Sequence, residues 1–154
     1  YDNSRAFLNV KANYFALVLN DKAEAEINVK AENTSLELSK NAELKALVTS
    51  PELKLDMYQK SQATIEGNVN NAKMRLDNYA VLTAKKLVIA TLELSTESYA
   101  KSFINVTNTL NLAASGKTET ELLGESKIQI TKFLNNATLY KKEKYSTIKA
   151  FKGN

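Results

Sequence analysis

Apolar and polar residues alternate along this chain for three to five positions, stop, and start again. The recurring unit is a pair of apolar residues two apart, usually Leu-x-Leu. It occurs at Leu17/Leu19, Leu36/Leu38, Leu53/Leu55, Met74/Leu76, Leu92/Leu94, Leu110/Leu112 and Ile128/Ile130, with steps of 19, 17, 21, 18, 18 and 18 residues. Alternation with a period of two is the signature of a strand with one buried face. In Thr91-Leu-Glu-Leu-Ser95 it predicts that the leucines point inward while Thr91, Glu93 and Ser95 face water. A helix fits less well, because two leucines two apart lie on different helix faces and no long i, i+3, i+4, i+7 stripe is present.

A second apolar element follows each anchor, as in Ala25-Glu-Ile27, Ala42-Glu-Leu44, Ala63-Thr-Ile65, Ala80-Val-Leu82 and Ala137-Thr-Leu139. Two short strands per repeat, separated by polar linkers, describe one coil of a solenoid. Between them lie Asn70-Asn71 and Ser115-Gly116-Lys117, residue types that accept the left-handed backbone a corner needs. A single coil cannot bury its apolar side, but stacked coils bury a continuous column. The expectation is an all-β fold, a parallel β-helix of about seven short coils, with strands about 4.8 Å apart and a rod on the order of 30–35 Å long. Parallel crossovers favour a right-handed coil. An antiparallel sandwich is the rival, since its short strands recur every 8–12 residues; the return of Leu-x-Leu at every second element favours the solenoid.

Residues 1–154 read as one solenoid domain. Starting at Tyr1, with no basic region followed by an apolar stretch, the sequence reads as a fragment or mature form of a longer secreted protein. The stretch Ala6–Leu19 is the most apolar in the chain, and open solenoid edges invite pairing. It is expected to meet an upstream domain or a partner, with a homo-oligomer as one form of that contact. The other end, Tyr140–Phe151, reads as a lysine-guarded cap.

Composition narrows the chemistry. The chain has no cysteine and no histidine. That excludes disulfides, thiolate or imidazole zinc sites, a cysteine nucleophile and a Ser-His-Asp triad. No cofactor and no metal site is expected, and the Gly-Gly-x-Gly-x-Asp repeat of calcium-binding solenoids is missing. The net charge of +4 comes almost wholly from lysines interspersed with glutamates, with Arg5 and Arg75 the only arginines. Base and phosphate readout favours arginine forks, so nucleic acid is not an expected partner. No apolar run is long enough for a membrane-spanning helix.

The second half of the chain carries a family resemblance. Leu92-Glu-Leu-Ser-Thr96, Ser102-Phe-Ile-Asn-Val106, Leu110-Asn-Leu-Ala-Ala-Ser-Gly116, Leu122-Leu-Gly124 and Lys127-Ile-Gln-Ile130 resemble the head GIN domain of auto-transporter adhesins, a bacterial module common in Bacteroidetes. The resemblance spans about Ala16 to Leu139 and is clearest from Leu92. It implies a right-handed β-helix, a cell-envelope or extracellular location and no enzymatic activity. The chain departs from the family in having glycine only at positions 67, 116, 124 and 153, leaving Asn and Asp to turn the other corners.

Two groups of side chains are candidates for function. Tyr58, Tyr79 and Tyr99 follow successive anchors and would lie along one edge, either as a corner ladder or as an aromatic binding strip for sugar rings or a protein. The carboxylate pairs Glu93/Glu97 and Glu119/Glu121 are the residues a glycosidic mechanism would need. Most acids sit among lysines or hydroxyl residues, as on a solvated face. The favoured expectation is a non-enzymatic surface-binding or spacer module whose partner is a surface glycan or protein. The alternative is a carbohydrate-active β-helix enzyme, a polysaccharide lyase or hydrolase.

Overall fold

The computed structural model describes residues 5–142 and 148–152, and every helix or strand in them is a strand. Six long strands come first: β1 (Arg5–Leu19), β2 (Glu24–Leu38), β3 (Glu43–Met57), β4 (Gln62–Leu76), β5 (Val81–Thr96) and β6 (Lys101–Ala114). Four short ones follow: β7 (Glu119–Leu123), β8 (Lys127–Phe133), β9 (Thr138–Lys142) and β10 (Ile148–Lys152). Each long strand pairs in parallel with the next. The chain is therefore a β-solenoid of about seven coils and not a sandwich.

The seventh coil is split. β7 pairs with the first half of β6 and β8 with its second half. β9 adds part of a further coil on β7, and β10 turns back antiparallel on β9. The expected lysine-rich cap falls partly on residues 143–147, including Glu143 and Lys144, which lie outside the described residues.

Hydrogen bonding alters one detail of the expectation. Each of the first six coils holds one continuous strand, not two short ones, yet the side chains still divide it. In β3, Leu44, Ala46, Val48 and Ser50 are buried in strict alternation, then Pro51 and Glu52 both face outward, then Leu53, Leu55 and Met57 are buried again. Two outward residues in succession shift the alternation by one and make a corner without breaking the ladder. The same slip falls at Glu32-Asn33 in β2 and Asn70-Asn71 in β4.

The register also explains why the anchor spacing wanders. Each second segment carries three inward positions. Leu17, Leu36, Leu55, Met74, Leu94, Leu112 and Ile130 stack in the middle column. Leu53, Leu92, Leu110 and Ile128 belong to the column before it, together with Phe15, Thr34 and Ala72. A two-residue anchor matches either half of a triplet, so it drifts by two while the coil itself stays near 19 residues.

The other corner is a tight turn with two consecutive left-handed residues. Asp21/Lys22, Lys40/Asn41, Gln59/Lys60, Asn78/Tyr79, Ser98/Tyr99 and Asn135/Asn136 all have positive φ. The amide of the next residue closes the turn, as in Ala23 N to Asn20 O at 3.0 Å and Ser61 N to Tyr58 O at 3.1 Å. Successive corners are tied together, with Lys22 N donating to Lys40 O and Lys60 N to Asn78 O, each at 2.9 Å. Asn and Asp serve at some of these positions as expected, but lysine, glutamine and tyrosine do too. A side chain with a Cβ costs about 1–2 kcal/mol in this conformation. Lys60→Gly (φ 62) should therefore raise stability by about 0.5–1 kcal/mol after the added chain entropy of glycine is subtracted. Equilibrium urea unfolding followed by circular dichroism measures it, and a loss of stability would contradict the turn geometry.

Candidate functional site

The solenoid turns alternate side chains outward, and the pairing register sets those side chains in rows that run from coil to coil. On the second segment one row is Asn33, Glu52, Asn71 and Thr91, and the next is Ser35, Lys54, Lys73, Glu93 and Asn111. A third holds Asp56, Arg75 and Ser95. Between these rows run two adjoining depressions of about 480 and 620 Å³, which share Lys54, Lys73, Glu93 and Asn111. The first reaches Tyr14 on β1 and the second Thr131 on β8, so together they form a furrow along almost the whole stack.

Charged and amide side chains stand along the furrow over an apolar floor that includes Leu53 and Met74. Lys54, Lys73 and Arg75 are balanced by Glu52, Asp56 and Glu93, and Asn71 Nδ2 donates to Glu52 Oε1 at 3.1 Å. Donors and acceptors recur at the strand spacing of about 4.8 Å. Small-molecule sites are typically concave pockets with a few convergent polar groups. This furrow is open, and its polar side chains repeat from coil to coil instead of converging, an arrangement suited to an extended chain.

The three tyrosines are not equivalent. Tyr79 and Tyr99 occupy the same left-handed position of consecutive corners, with ring centroids 4.9 Å apart and planes 3° from parallel. They are 50% and 45% exposed. Each ring closes one face of the other, and that face is unavailable to a sugar. Tyr58 begins its corner, two places before the position Tyr79 takes in the next one, and no ring contact joins it to that pair. Its hydroxyl is held above its usual 10.0 by partial burial and then by Asp56, Glu37 and Asp77, with Arg75 pulling the other way. A raised folded-state value means that Tyr58's contribution to stability is complete below pH 10 and fades as pH rises through that value.

A double-mutant cycle separates the ladder from the outlier. Tyr79→Ala and Tyr99→Ala should show a coupling of about 0.5–1.5 kcal/mol in thermal unfolding, whereas Tyr58→Ala and Tyr79→Ala should be additive.

The carboxylates are dispersed. Glu93 lies in the furrow, while Glu97 starts a corner and accepts the Ala100 amide through its backbone oxygen at 3.2 Å. Glu119 and Glu121 sit on the first segment, paired with Lys101 at 3.3 Å and Lys85 at 3.7 Å, and Lys85 also lies 5.0 Å from the Phe103 ring centre. Such exposed pairs contribute little to stability. Among the described residues, no group of three or more acidic side chains could hold a metal ion, and no helix is long and apolar enough to cross a membrane.

Sequence reasoning missed the furrow because the drifting anchor scrambled the outward rows. Its trace was present in Asn33, Glu52 and Asn71, polar residues 19 apart. Neither a curated protein nor a solved structure matches the chain. The family model described as "Putative auto-transporter adhesin, head GIN domain" matches residues 6–126. This match takes in β1 through β7; it starts before the expected Ala16 and ends at residue 126, before Lys127–Ile130 and short of Leu139. A chain with these stacked coils and this match belongs to the head GIN domain family.

Proposed function

We propose that this chain is a non-enzymatic module of the cell surface that docks an extended polar polymer, a surface glycan strand, along the furrow of its second segments. The observation that carries the reading is the continuity of the furrow from Tyr14 to Thr131, with amide, lysine and carboxylate side chains repeating coil after coil. Hydroxyl-rich chains are held by many such groups, each contributing modestly in water. The adhesin family supports the surface location and the binding role. The stacked Tyr79/Tyr99 pair, on a corner, offers a lesser contact.

Binding to a panel of bacterial surface polysaccharides, read by biolayer interferometry, tests the reading. Asn71→Ala combined with Lys73→Glu should weaken binding at least about ten-fold with an unchanged circular dichroism spectrum, while Tyr58→Ala changes it little. Binding only to proteins, or binding that survives the furrow variants, overturns the glycan reading. Cleavage of any polysaccharide that Glu93→Gln abolishes would establish the carbohydrate-active alternative instead.

A further inference from the structure

The two ends of the stack are not alike. β1 is hydrogen-bonded to β2 in one unbroken register from Arg5 to Leu19 apart from Asn13, and its other side has no partner among the described residues. Except for the buried Leu19, the inward side chains of β1 are less covered than those of the next coil: Leu8 is 40% exposed, whereas its stacked neighbour Ile27 is 3% exposed. Phe7, Tyr14 and Val18 on the outer side are 68%, 65% and 63% exposed. Natural edge strands are guarded by charges, proline or bulges. The segment Ala12-Asn-Tyr-Phe-Ala-Leu-Val-Leu19 contains none of these, while the free strand β8 carries Lys127 and Lys132 and the far end is turned back by β10.

We propose that β1 pairs antiparallel with β1 of a second copy, joining two solenoids end to end about a two-fold axis. In an antiparallel pair, residues directly opposite share a face. In the first segment the inward residues match when Ala6 faces Ala12 and Leu8 faces Val10, which places Asn9 opposite its own copy. In the second segment they match when Phe15 faces Leu19, which places Leu17 on the same axis. The two segments of one coil thus accept one and the same two-fold. Arg5 then lies opposite Asn13 and Lys11 opposite Phe7, so no charge meets a like charge. A head-to-tail stack fits less well, because β8 lies on β6 while β9 and β10 extend beyond β7, and the far end is stepped. Eight extended residues span about 26 Å, and two layers with their side chains about 20 Å. The end is then on the order of 500 Å² per copy, at the lower bound for a specific interface.

The test uses the whole chain in solution. Light scattering should give about twice the chain mass of 17.1 kDa. Asn9 is exposed on β1, so its substitution leaves the core untouched. Asn9→Lys sets two lysines against each other on the axis and should weaken association at least about ten-fold, and Asn9→Asp should do the same. Mixing the two variants should restore a dimer of one copy each. A monomeric wild-type chain overturns the proposal and assigns the edge to another chain or segment. A dimer that Asn9→Lys and Asn9→Asp both leave intact places the contact elsewhere and overturns it as well.

Discussion

Gly67→Ala should be the most damaging single-methyl change in this protein, with a loss of about 3–5 kcal/mol and a fall in Tm on the order of 10 °C. Gly67 stacks between Val48 and Leu87, just past the point where β5 carries one residue more than β4. A Cβ built there would lie 2.0 Å from the Val48 carbonyl oxygen and 2.8 Å from its carbon. The obstacle is backbone held in a ladder, so it cannot swing aside as a side chain would. The φ of +125° adds a conformation that residues with a Cβ rarely adopt. Gly116→Ala is the control. Its Cβ would approach the Ser98 amide nitrogen at 3.1 Å, at a φ of +70°, and the cost should stay near 1–2 kcal/mol. Thermal unfolding by circular dichroism separates the two, and a Gly67→Ala protein within about 1 kcal/mol of wild type would show that the coil does not close as described.

Leu55→Ala should cost about 3–4 kcal/mol. Leu55 is fully buried, stacked between Leu36 and Met74 in the middle inward column, with Leu53 and Met57 on either side along the strand. Truncation leaves a void inside a column whose backbone spacing is set by hydrogen bonds on both sides, so the coils cannot collapse to fill it. Leu47→Ala removes the same atoms from an outward residue that is 46% exposed and should change stability by no more than about 0.5 kcal/mol. Equal losses at the two positions in equilibrium urea unfolding would refute the assignment of inward and outward columns.

These two sites differ in how far the sequence foretells them. The burial of Leu55 follows from alternation alone, since Leu53, Leu55 and Met57 recur with the triplets around them. Gly67 looks like an ordinary glycine in a polar stretch, and only its stacking on β3 shows that the Val48 carbonyl occupies the space a side chain would need. The tyrosines divide in the same way. Their spacings of 21 and 20 residues suggest three equivalent positions, but the coil length makes the second spacing one full turn and the first one turn plus a corner. Tyr79 and Tyr99 therefore meet and Tyr58 does not.

By itself the sequence determines an all-β fold of repeating strands and favours stacked coils over a sandwich, because the same Leu-x-Leu returns at every second element. Cysteine and histidine chemistry is absent for the simple reason that the residues are. The resemblance that is clearest from Leu92 names the family. Only the tertiary structure decides which polar residues form the furrow and which tyrosines stack. Those properties depend on register, and a shift of two residues along a strand keeps every side chain on its face while changing all of its neighbours. The hydrophobic pattern tolerates that shift; the corners, fixed by paired left-handed residues, do not.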